Sequence, residues 1–506
     1  MRLTRRHLEA IVLGVVLTSI VGLRAARLDE PIVENYVGRQ IPTAMVARNL
    51  GRGSGFLRPQ LDTGPPPNLF LVEPPIYALL AVGLRRVSGL PLEHAGRLVS
   101  ALATALAAWG LYGLARRREG PLTAIFAVVA FAALPVTIRY GRAFQPDAAM
   151  LGLTLAGLRL VDDGAGSRRG DGALRACGCA LVATGLAVKI TSIYVLVPLW
   201  MLLGPSLTRR VRAGTLVIAV APALMWYVYA VIMIASGVGS RASADNGASW
   251  LRALGPFALF DRGVLLAAAR GLLVRSFTPV GVVLALYGLR PGAAADGFWR
   301  PWGLAALVVL LCLGAKIHHD YYWLALAPVV SVGVACGTLE LARSSRLKRA
   351  VAALAFATFL MLGAAQSRST FVVPASWSGL RAAAESVRAH VPVKDWVVAP
   401  EALLFAADRR GCRLEVDPAA SSRAAGEWRG VKVLEGSTII DIADVRTPLD
   451  LVAFYRERGA RFFADLTGED ANDAARLGLH EAIRRRYKVL VDEPVVLIAD
   501  LDHEAP

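Results

Sequence analysis

The chain has 506 residues, 55% of them hydrophobic and only 19% charged, with a mean hydropathy of +0.49. Soluble globular chains carry about a quarter charged residues, so this balance excludes an ordinary soluble enzyme and points to a membrane protein. The formal net charge of +17 does not signal nucleic acid, because the basic residues fall mostly between apolar runs, where they orient membrane spans, and no stacking motif or zinc-finger spacing accompanies them.

The N-terminus reads basic up to His7, followed by an apolar run from about Leu8 to Leu23. It reads as an uncleaved first span rather than a signal peptide, since many spans follow and no clean small-residue cleavage site is present. A helix crosses the roughly 30 Å hydrocarbon layer with about 20 apolar residues. Segments of that kind lie near 8–26, 95–114, 120–138, 147–161, 174–188, 190–204, 213–235, 276–290, 301–315, 321–341 and 350–366, giving about eleven spans. Each must be helical, because a lone strand in lipid leaves its backbone groups unpaired.

The connectors carry a consistent charge bias. Arg116 to Arg118, then Arg168, Arg169 and Arg175, then Arg209, Arg210 and Arg212, then Arg290 and Arg300, and finally Arg343, Arg346, Lys348 and Arg349 fall on one side. That side is cytoplasmic by the positive-inside bias, which places the N-terminus inside. Two long connectors, 27–94 and 236–275, then lie outside. Amphipathic pieces near 41–50, 74–87 and 257–275 are expected along the membrane surface. After about residue 366 the pattern changes to alternating helices and strands: a helix from Trp377 to Val391, a strand Asp395–Ala399, a helix Leu449–Arg458, a strand Arg461–Asp465, and closing strands Lys488–Val491 and Val495–Leu501. This reads as a small α/β domain on the outer face, without a Gly-rich phosphate loop. Cys177, Cys179, Cys312 and Cys336 lie in apolar segments and Cys412 stands alone in the tail, so no disulfide or metal framework is expected, and Cys177 and Cys179 read as small buried packing.

The polar residues that could carry chemistry collect at the outer ends of the spans. The first outer loop holds Asp29, Glu30 and Glu34, then Arg39 and Gln40 ahead of Pro42, with Thr43 and Ala47 on one helical face with Arg39. A solvated loop with a surface helix is the plain alternative. Glu73 opens Glu-Pro-Pro-Ile-Tyr77, where the prolines fix an extended lead into a helix and the acid suits the helix N-terminus. Asp147 ends Arg139-Tyr-Gly-Arg142-Ala-Phe-Gln-Pro-Asp147 and opens the next apolar run; a charge so close to lipid is costly and often functional. Lys189 interrupts two apolar runs, and Lys316, His318, His319 and Tyr322 do the same further on. The adjacent histidines point apart on a helix and make a poor chelating pair, so a polar cap touching a phosphate headgroup is the stronger expectation and a divalent metal the weaker one.

In their order and sidedness these pieces resemble the GT-C glycosyltransferases of the protein O-mannosyltransferase and aminoarabinose-transferase type. The resemblance covers about residues 8–366 and rests on the acidic first loop, Arg39-Gln40-x-x-Thr43-Ala44-x-x-Ala47-Arg48-Asn49, Glu-Pro-Pro-Ile-Tyr, Arg-Ala-Phe-Gln-Pro-Asp147 and Lys316-Ile-His-His-Asp-Tyr-Tyr. It implies an α-helical polytopic membrane protein with about 11–13 transmembrane helices in residues 1–366 and a small extracytoplasmic α/β domain in 367–506. It implies an inverting transfer of a hexose or pentose from a polyprenyl-phosphate donor to a glycan, lipid or protein acceptor at the outer face of a bacterial plasma membrane. A carboxylate in the first loop would accept the hydroxyl proton, an acid in the second loop would assist, and cations would stabilise the departing phosphate. The family's usual Asp-Glu pair falls on Arg39-Gln40 here. The first-loop acid is therefore expected at Glu34, with Glu30 and Asp29 behind it, and the second at Asp147. Arg39, Gln40, Glu73, Tyr77, Arg142, Lys189, Lys316, His318, His319 and Tyr322 are expected around donor and acceptor. The alternatives are a transporter or flippase of lipid-linked sugars, which would need polar groups at mid-membrane, and a non-catalytic scaffold with a binding tail.

Overall fold

The computed structural model describes residues 5–34, 37–64, 68–166, 171–204, 207–236, 254–255, 257, 260–291, 297–343, 345–416, 421, 445–467 and 474–505. The N-terminal two thirds is helical: α1 Arg5–Arg24, α2 Val37–Gly51, α3 Ile76–Ser88, α4 Leu92–Glu119, α5 Pro121–Ala133, α6 Pro135–Tyr140, α7 Asp147–Gly166, α8 Gly172–Val188, α9 Leu196–Leu203, α10 Arg209–Ala235, α11 Arg262–Arg270, α12 Pro279–Gly288, α13 Trp299–Leu313, α14 Ala327–Arg343 and α15 Arg346–Ser367. Starts are set by local chemistry. The Thr208 hydroxyl accepts from Val211 N at 3.3 Å to open α10, Ser345 accepts from Lys348 N at 3.2 Å to open α15, and Asp171 accepts from Ala173 N and Leu174 N to open α8. Pro121 and Pro135 each occupy the first turn of a helix, where the missing N–H costs nothing.

Six described helices are long and apolar enough to cross a membrane, and the bent pair Arg262–Ser276 plus Pro279–Gly288, turned by 89°, makes up to seven. Pro121–Ala133, Gly172–Val188 and Ile190–Leu203 are apolar but shorter. The larger count expected from hydropathy therefore includes segments that a length criterion does not pass, because several apolar runs break into short helices at Gly120, Lys189 and the 277–278 turn. Among the candidates, Asp320–Arg343 is 83% buried and sits inside the bundle, whereas Arg209–Ala235 is 22% buried and presents Ile218, Met225, Val228 and Ile232 outward. The polytopic helical architecture expected from composition is present. Cys177, expected to be packed inside, is exposed on α8, since a thiol is as well accommodated by lipid as by a core.

Close helix approach uses small residues. A Cβ on Gly157 would lie 2.6 Å from the Gly178 carbonyl oxygen, bringing α7 against α8, and a Cβ on Gly288 would lie 2.1 Å from the Gly333 carbonyl oxygen and 2.5 Å from Gly337 N, bringing α12 onto α14. Gly333 and Gly337 are four apart, the spacing that lets two helix backbones touch in lipid.

The C-terminal region holds a five-stranded sheet in the order β2-β1-β3-β5-β4, with β1 Trp396–Ala399, β2 Gly411–Arg413, β3 Ala460–Leu466, β4 Tyr487–Glu493 and β5 Val496–Glu504. β2, β1 and β3 run parallel (Val397 opposite Gly411, Val398 opposite Phe463), while β5 is antiparallel to β3 and β4 (Ala464 opposite Ile498, Val489 opposite Ala499). Helices α16 Leu380–His390, α17 Glu401–Ala407, α18 Pro448–Arg456 and α19 Ala474–Arg486 accompany it. The strands at 395–399, 461–465, 488–491 and 495–501 and the helices at 377–391 and 449–458 were legible from the sequence; α17, the short β2 and α19 were not.

The first long connector departs from expectation. Residues Gln40–Leu50 of α2 are buried rather than laid on a membrane surface. Its polar residues are satisfied internally: Arg48 pairs with Asp62 at 2.6 Å, Asn49 donates to Gln60 O at 2.9 Å and to Asp62 at 3.1 Å, and Arg39 pairs with Glu73. The connector also joins the sheet, because Gly411 N donates to Asp62 O at 3.1 Å and Gly64 N to Gly411 O at 3.0 Å. Of the other two pieces, the second is α3, and the third is α11 continued by a π-helical turn, Gly271–Ser276.

The Gly288 contact is testable. Gly288→Val is expected to destabilise the detergent-purified protein by about 1–3 kcal/mol, as overpacking does, whereas Gly214→Val, at a position with nothing within 4 Å, is expected to leave thermal unfolding unchanged. Equal melting of both variants in a tryptophan-fluorescence scan contradicts the packing account.

Candidate active site

A cavity of about 330 Å³ opens where several helix ends meet, lined by Arg39, Glu73, Lys189, Tyr227, Tyr321 and Tyr322 together with apolar residues of α10 and the 71–72 segment. Each polar residue sits at a break in regular structure. Arg39 lies in the first turn of α2, and Glu73 precedes the prolines that launch α3. Lys189 has an extended backbone (φ −158°, ψ 107°) between α8 and the 3₁₀ turn Ile190–Val195. Tyr321 and Tyr322 lie in the 3₁₀ segment Asp320–Leu326.

The charges are paired in two steps. Arg39 forms an ion pair with Glu73. Burial acts most strongly on Arg39 and lowers its guanidinium, but Glu73, Tyr321, Asp147 and Tyr322 together outweigh it and hold Arg39 above its ordinary range, so the cation persists. Burial pushes the Glu73 carboxyl up, and Arg39 and Lys189 pull against that push. One layer deeper, Lys189 Nζ lies 2.6 Å from Asp147 Oδ1, with the two side chains 7% and 1% exposed. The same ammonium lies 4.0 Å from the Tyr321 ring centroid and 5.1 Å from that of Tyr322, a distance at which the ring faces attract it. Asp147 begins α7, where the helix dipole favours a carboxylate, and receives a 3.1 Å hydrogen bond from Gln145 Nε2.

Glu34 stands elsewhere. Its carboxylate is 2.5 Å from Arg97 Nη2 and 3.6 Å from Arg142 Nε, both arginines being fully buried, and Glu34 does not line the cavity. Arg97 also donates to the carbonyls of Leu28, Glu30 and Pro31, so it gathers the start of the first loop. Glu30 pairs with Arg27 at 2.9 Å and approaches Arg142 at 4.0 Å, and Asp29 is exposed. Gln40 ties the first loop to the 141–147 segment: its Nε2 donates to the Glu34 backbone O at 2.5 Å and its Oε1 accepts from Phe144 N at 2.7 Å. The segment 141–147 is thus held by Glu34 at one end, by Gln40 in the middle and by Lys189 at the other.

Of the remaining candidates, Tyr77 is buried beneath α4, donating to Gly96 O at 2.8 Å and lying 3.0 Å from Ser100 Oγ, and does not reach the cavity. His319 stacks on Tyr321 (centroids 5.3 Å apart, planes at 12°), and burial, followed by His318 and Lys316, pushes its imidazole down to about 3, so it is neutral. His318 Nδ1 is 2.5 Å from Ala315 O, and the two histidine rings are 3.8 Å apart. Lys316 lies in the 3₁₀ turn Gly314–His318 and does not line this cavity. Among the described residues no three His, Cys, Asp or Glu side chains converge where a metal ion could be held. Sequence reasoning missed Arg97, Tyr227 and Tyr321 as participants. Arg97 carried a signal, being a lone arginine inside an apolar run; the tyrosines did not stand out from other aromatics in spans.

Removing Lys189 would strand a buried carboxylate. Lys189→Met is expected to cost about 3–5 kcal/mol, and the double variant Asp147→Asn with Lys189→Met to recover part of it. A thermal-melt double-mutant cycle with strictly additive losses contradicts direct pairing.

A sequence model of the family described as dolichyl-phosphate-mannose-protein mannosyltransferase matches residues 72–236. No curated protein sequence matches the chain. Among solved structures, ArnT from Cupriavidus metallidurans bound to undecaprenyl phosphate is similar over 97% of this chain and 97% of its own length, with a TM-score of 0.59 at 15% identity. The oligosaccharyltransferase AglB from Archaeoglobus fulgidus, in complex with an inhibitory peptide and a dolichol-phosphate, is similar over 96% of this chain and 73% of its own, with a TM-score of 0.52 at 12% identity. The Archaeoglobus fulgidus oligosaccharyltransferase with zinc and sulfate covers 94% and 71%, again with a TM-score of 0.52 at 12% identity. Residues 72–236 thus match the dolichyl-phosphate-mannose-protein mannosyltransferase family model, and the chain as a whole shares its fold with ArnT and AglB.

Proposed function

We propose that this chain is an inverting glycosyltransferase that moves a sugar from a polyprenyl-phosphate donor to a hydroxyl of a glycan, lipid or protein acceptor. The observation that carries the reading is the cavity in which one carboxylate, Glu73, faces two cations, Arg39 and Lys189, beside the outward, apolar face of α10. A lipid tail has an apolar flank to follow, and its phosphate meets positive charge. The polyprenyl phosphates bound to ArnT and AglB are consistent with such a donor.

In this reading Glu73 accepts the proton as the acceptor oxygen attacks the anomeric carbon from the face opposite the phosphate. The carbon–oxygen bond to the phosphate breaks with its electron pair, and Arg39 and Lys189 stabilise the charge that develops on the departing phosphate. Tyr321, Tyr322 and Tyr227 offer ring faces to the sugar. Asp147 aims the Lys189 ammonium, and Gln40 fixes the second loop. Glu34, the first-loop acid expected from the sequence as the base, is held behind Arg97 and Arg142. The proposal therefore gives the proton-accepting role to Glu73 and leaves Glu34, with Glu30 and Asp29 near it, to shape the loop. Lys316, His318 and His319 lie on the 314–326 segment that carries Tyr321 and Tyr322 but do not line the cavity. We place the cavity on the extracytoplasmic side of a bacterial plasma membrane, with the N-terminus inside and residues 367–506 as an outer domain, because the arginine-rich connectors lie at the opposite helix ends.

Purified protein offered a panel of polyprenyl-phosphate sugars is expected to release the lipid phosphate and form a glycoside. Glu73→Gln is expected to lower transfer by about 10²–10⁴-fold in protein that still purifies folded, with some loss of thermal stability because Arg39 loses its counter-charge, whereas Glu34→Gln retains measurable transfer. Full activity in Glu73→Gln, with loss in Glu34→Gln, returns the base to Glu34. Only ionised Glu73 can accept a proton, and burial raises its carboxyl. The wild-type rate should thus fall as pH drops through a value above the ordinary carboxylate range of about 4.3.

A further inference from the structure

A second cavity, of about 610 Å³, lies between the C-terminal end of α2, the end of α3, the start of α4 and helix α17 of the C-terminal region. Its charged lining is Arg48, Arg52, Arg85, Arg86, Glu93 and Asp408. Four arginines face two acids, so the cavity is positive before anything binds. Asp408 is already engaged by Arg48 at 3.0 Å and by Arg52 at 2.6 Å. Arg48 is 9% exposed, and its Nε is buried without a hydrogen-bond partner among the described residues. Arg85 and Arg86 are exposed at the last turn of α3, and no ion pair forms on either among the described residues. Favourable alignment with the α3 dipole explains why cations suit that turn, but not why two further arginines, Arg48 of α2 and Arg52 just after it, converge on the same space.

The flank of the cavity is apolar. On α3, Leu79, Leu80 and Val87 are exposed, Val87 at 88%, and Leu79 and Val87 lie eight residues apart on one helical stripe. A helix that shows leucine and valine outward and ends in two arginines has the character of one lying at the membrane–water boundary. We propose that this cavity is a second binding site, separate from the candidate active site, for the anionic phosphate headgroup of a membrane lipid whose chains run along the exposed face of α3. Arg85 and Arg86 make the first contact, Arg48 and Arg52 form the inner wall, and α17 closes the far side through Phe405, Ala406 and Asp408. Bidentate guanidinium–phosphate pairing supplies the selectivity. Since Arg48 also donates to Phe405 O at 2.7 Å and pairs with Asp62, the bound headgroup would fasten the C-terminal region to the first loop.

The test uses the full chain in neutral detergent, titrated with short-chain phosphatidylglycerol, phosphatidylcholine or inorganic phosphate and read by native mass spectrometry. Phosphatidylglycerol is expected to bind more tightly than phosphatidylcholine. Arg85→Ala with Arg86→Ala is expected to weaken phosphatidylglycerol about tenfold or more, as the loss of two juxtamembrane cations implies. Arg209→Ala with Arg210→Ala, at the far basic end of α10, should not. Glu93→Gln, which removes an opposing acid while leaving the arginines, is expected to tighten binding and keeps the test independent of whether the double variant folds. The proposal is overturned by equal binding of the two phospholipids, by an unchanged constant in the Arg85/Arg86 variant, by weaker binding in Glu93→Gln, or by inorganic phosphate alone binding as tightly as phosphatidylglycerol.

Discussion

The buried pair of Asp147 and Lys189 is the interaction on which the arrangement at the helix ends depends. Neither charge is tolerable alone at that depth, and each ends an element: Asp147 begins α7 and Lys189 breaks the chain after α8. Joining them fixes where α7 and α8 finish relative to each other, and the small Gly157–Gly178 contact lower down allows the two helices to lie close enough for the pair to form. The ammonium is then left under Tyr321 and Tyr322, so the 3₁₀ segment carrying them packs against a charge rather than against a greasy wall. The cavity exists because this segment, the Arg39–Glu73 pair and α10 close around that point.

A second constraint works through the first loop. Arg97 gathers three carbonyls and the Glu34 carboxylate, Arg48 and Asn49 gather Asp62, and Gly411 takes the 62–64 segment onto the edge of the C-terminal sheet. The loop is therefore not a solvated strap. Its α2 stretch from Gln40 to Leu50 is a buried layer between helices and sheet, and the arginines there serve as multidentate donors that replace the water its backbone would otherwise require. The candidate active site and the arginine-lined second cavity are built on the two ends of the same helix, α2, with Arg39 at one and Arg48 and Arg52 at the other.

The sequence by itself determined much of this protein. Long apolar runs have only one way to cross lipid, as helices, so the polytopic class follows from composition, and the short runs rich in aromatic and branched apolar residues at 461–465 and 495–501 read as strands in the tail. The clustering of Glu73, Asp147, Lys189 and the 316–322 segment at span ends was also legible, because charge beside lipid stands out in a hydrophobic chain. Partnership was not legible. That Glu73 would pair with Arg39 and Asp147 with Lys189, while Glu34 is taken by Arg97, depends on which helix ends meet, over separations of 34, 42 and 63 residues, and no local pattern encodes such pairings. Tertiary structure likewise turned α2 from an expected surface helix into a buried one. A polar residue reads as solvated in sequence whether its partner is water or a carboxylate far along the chain, and only the folded packing decides between the two.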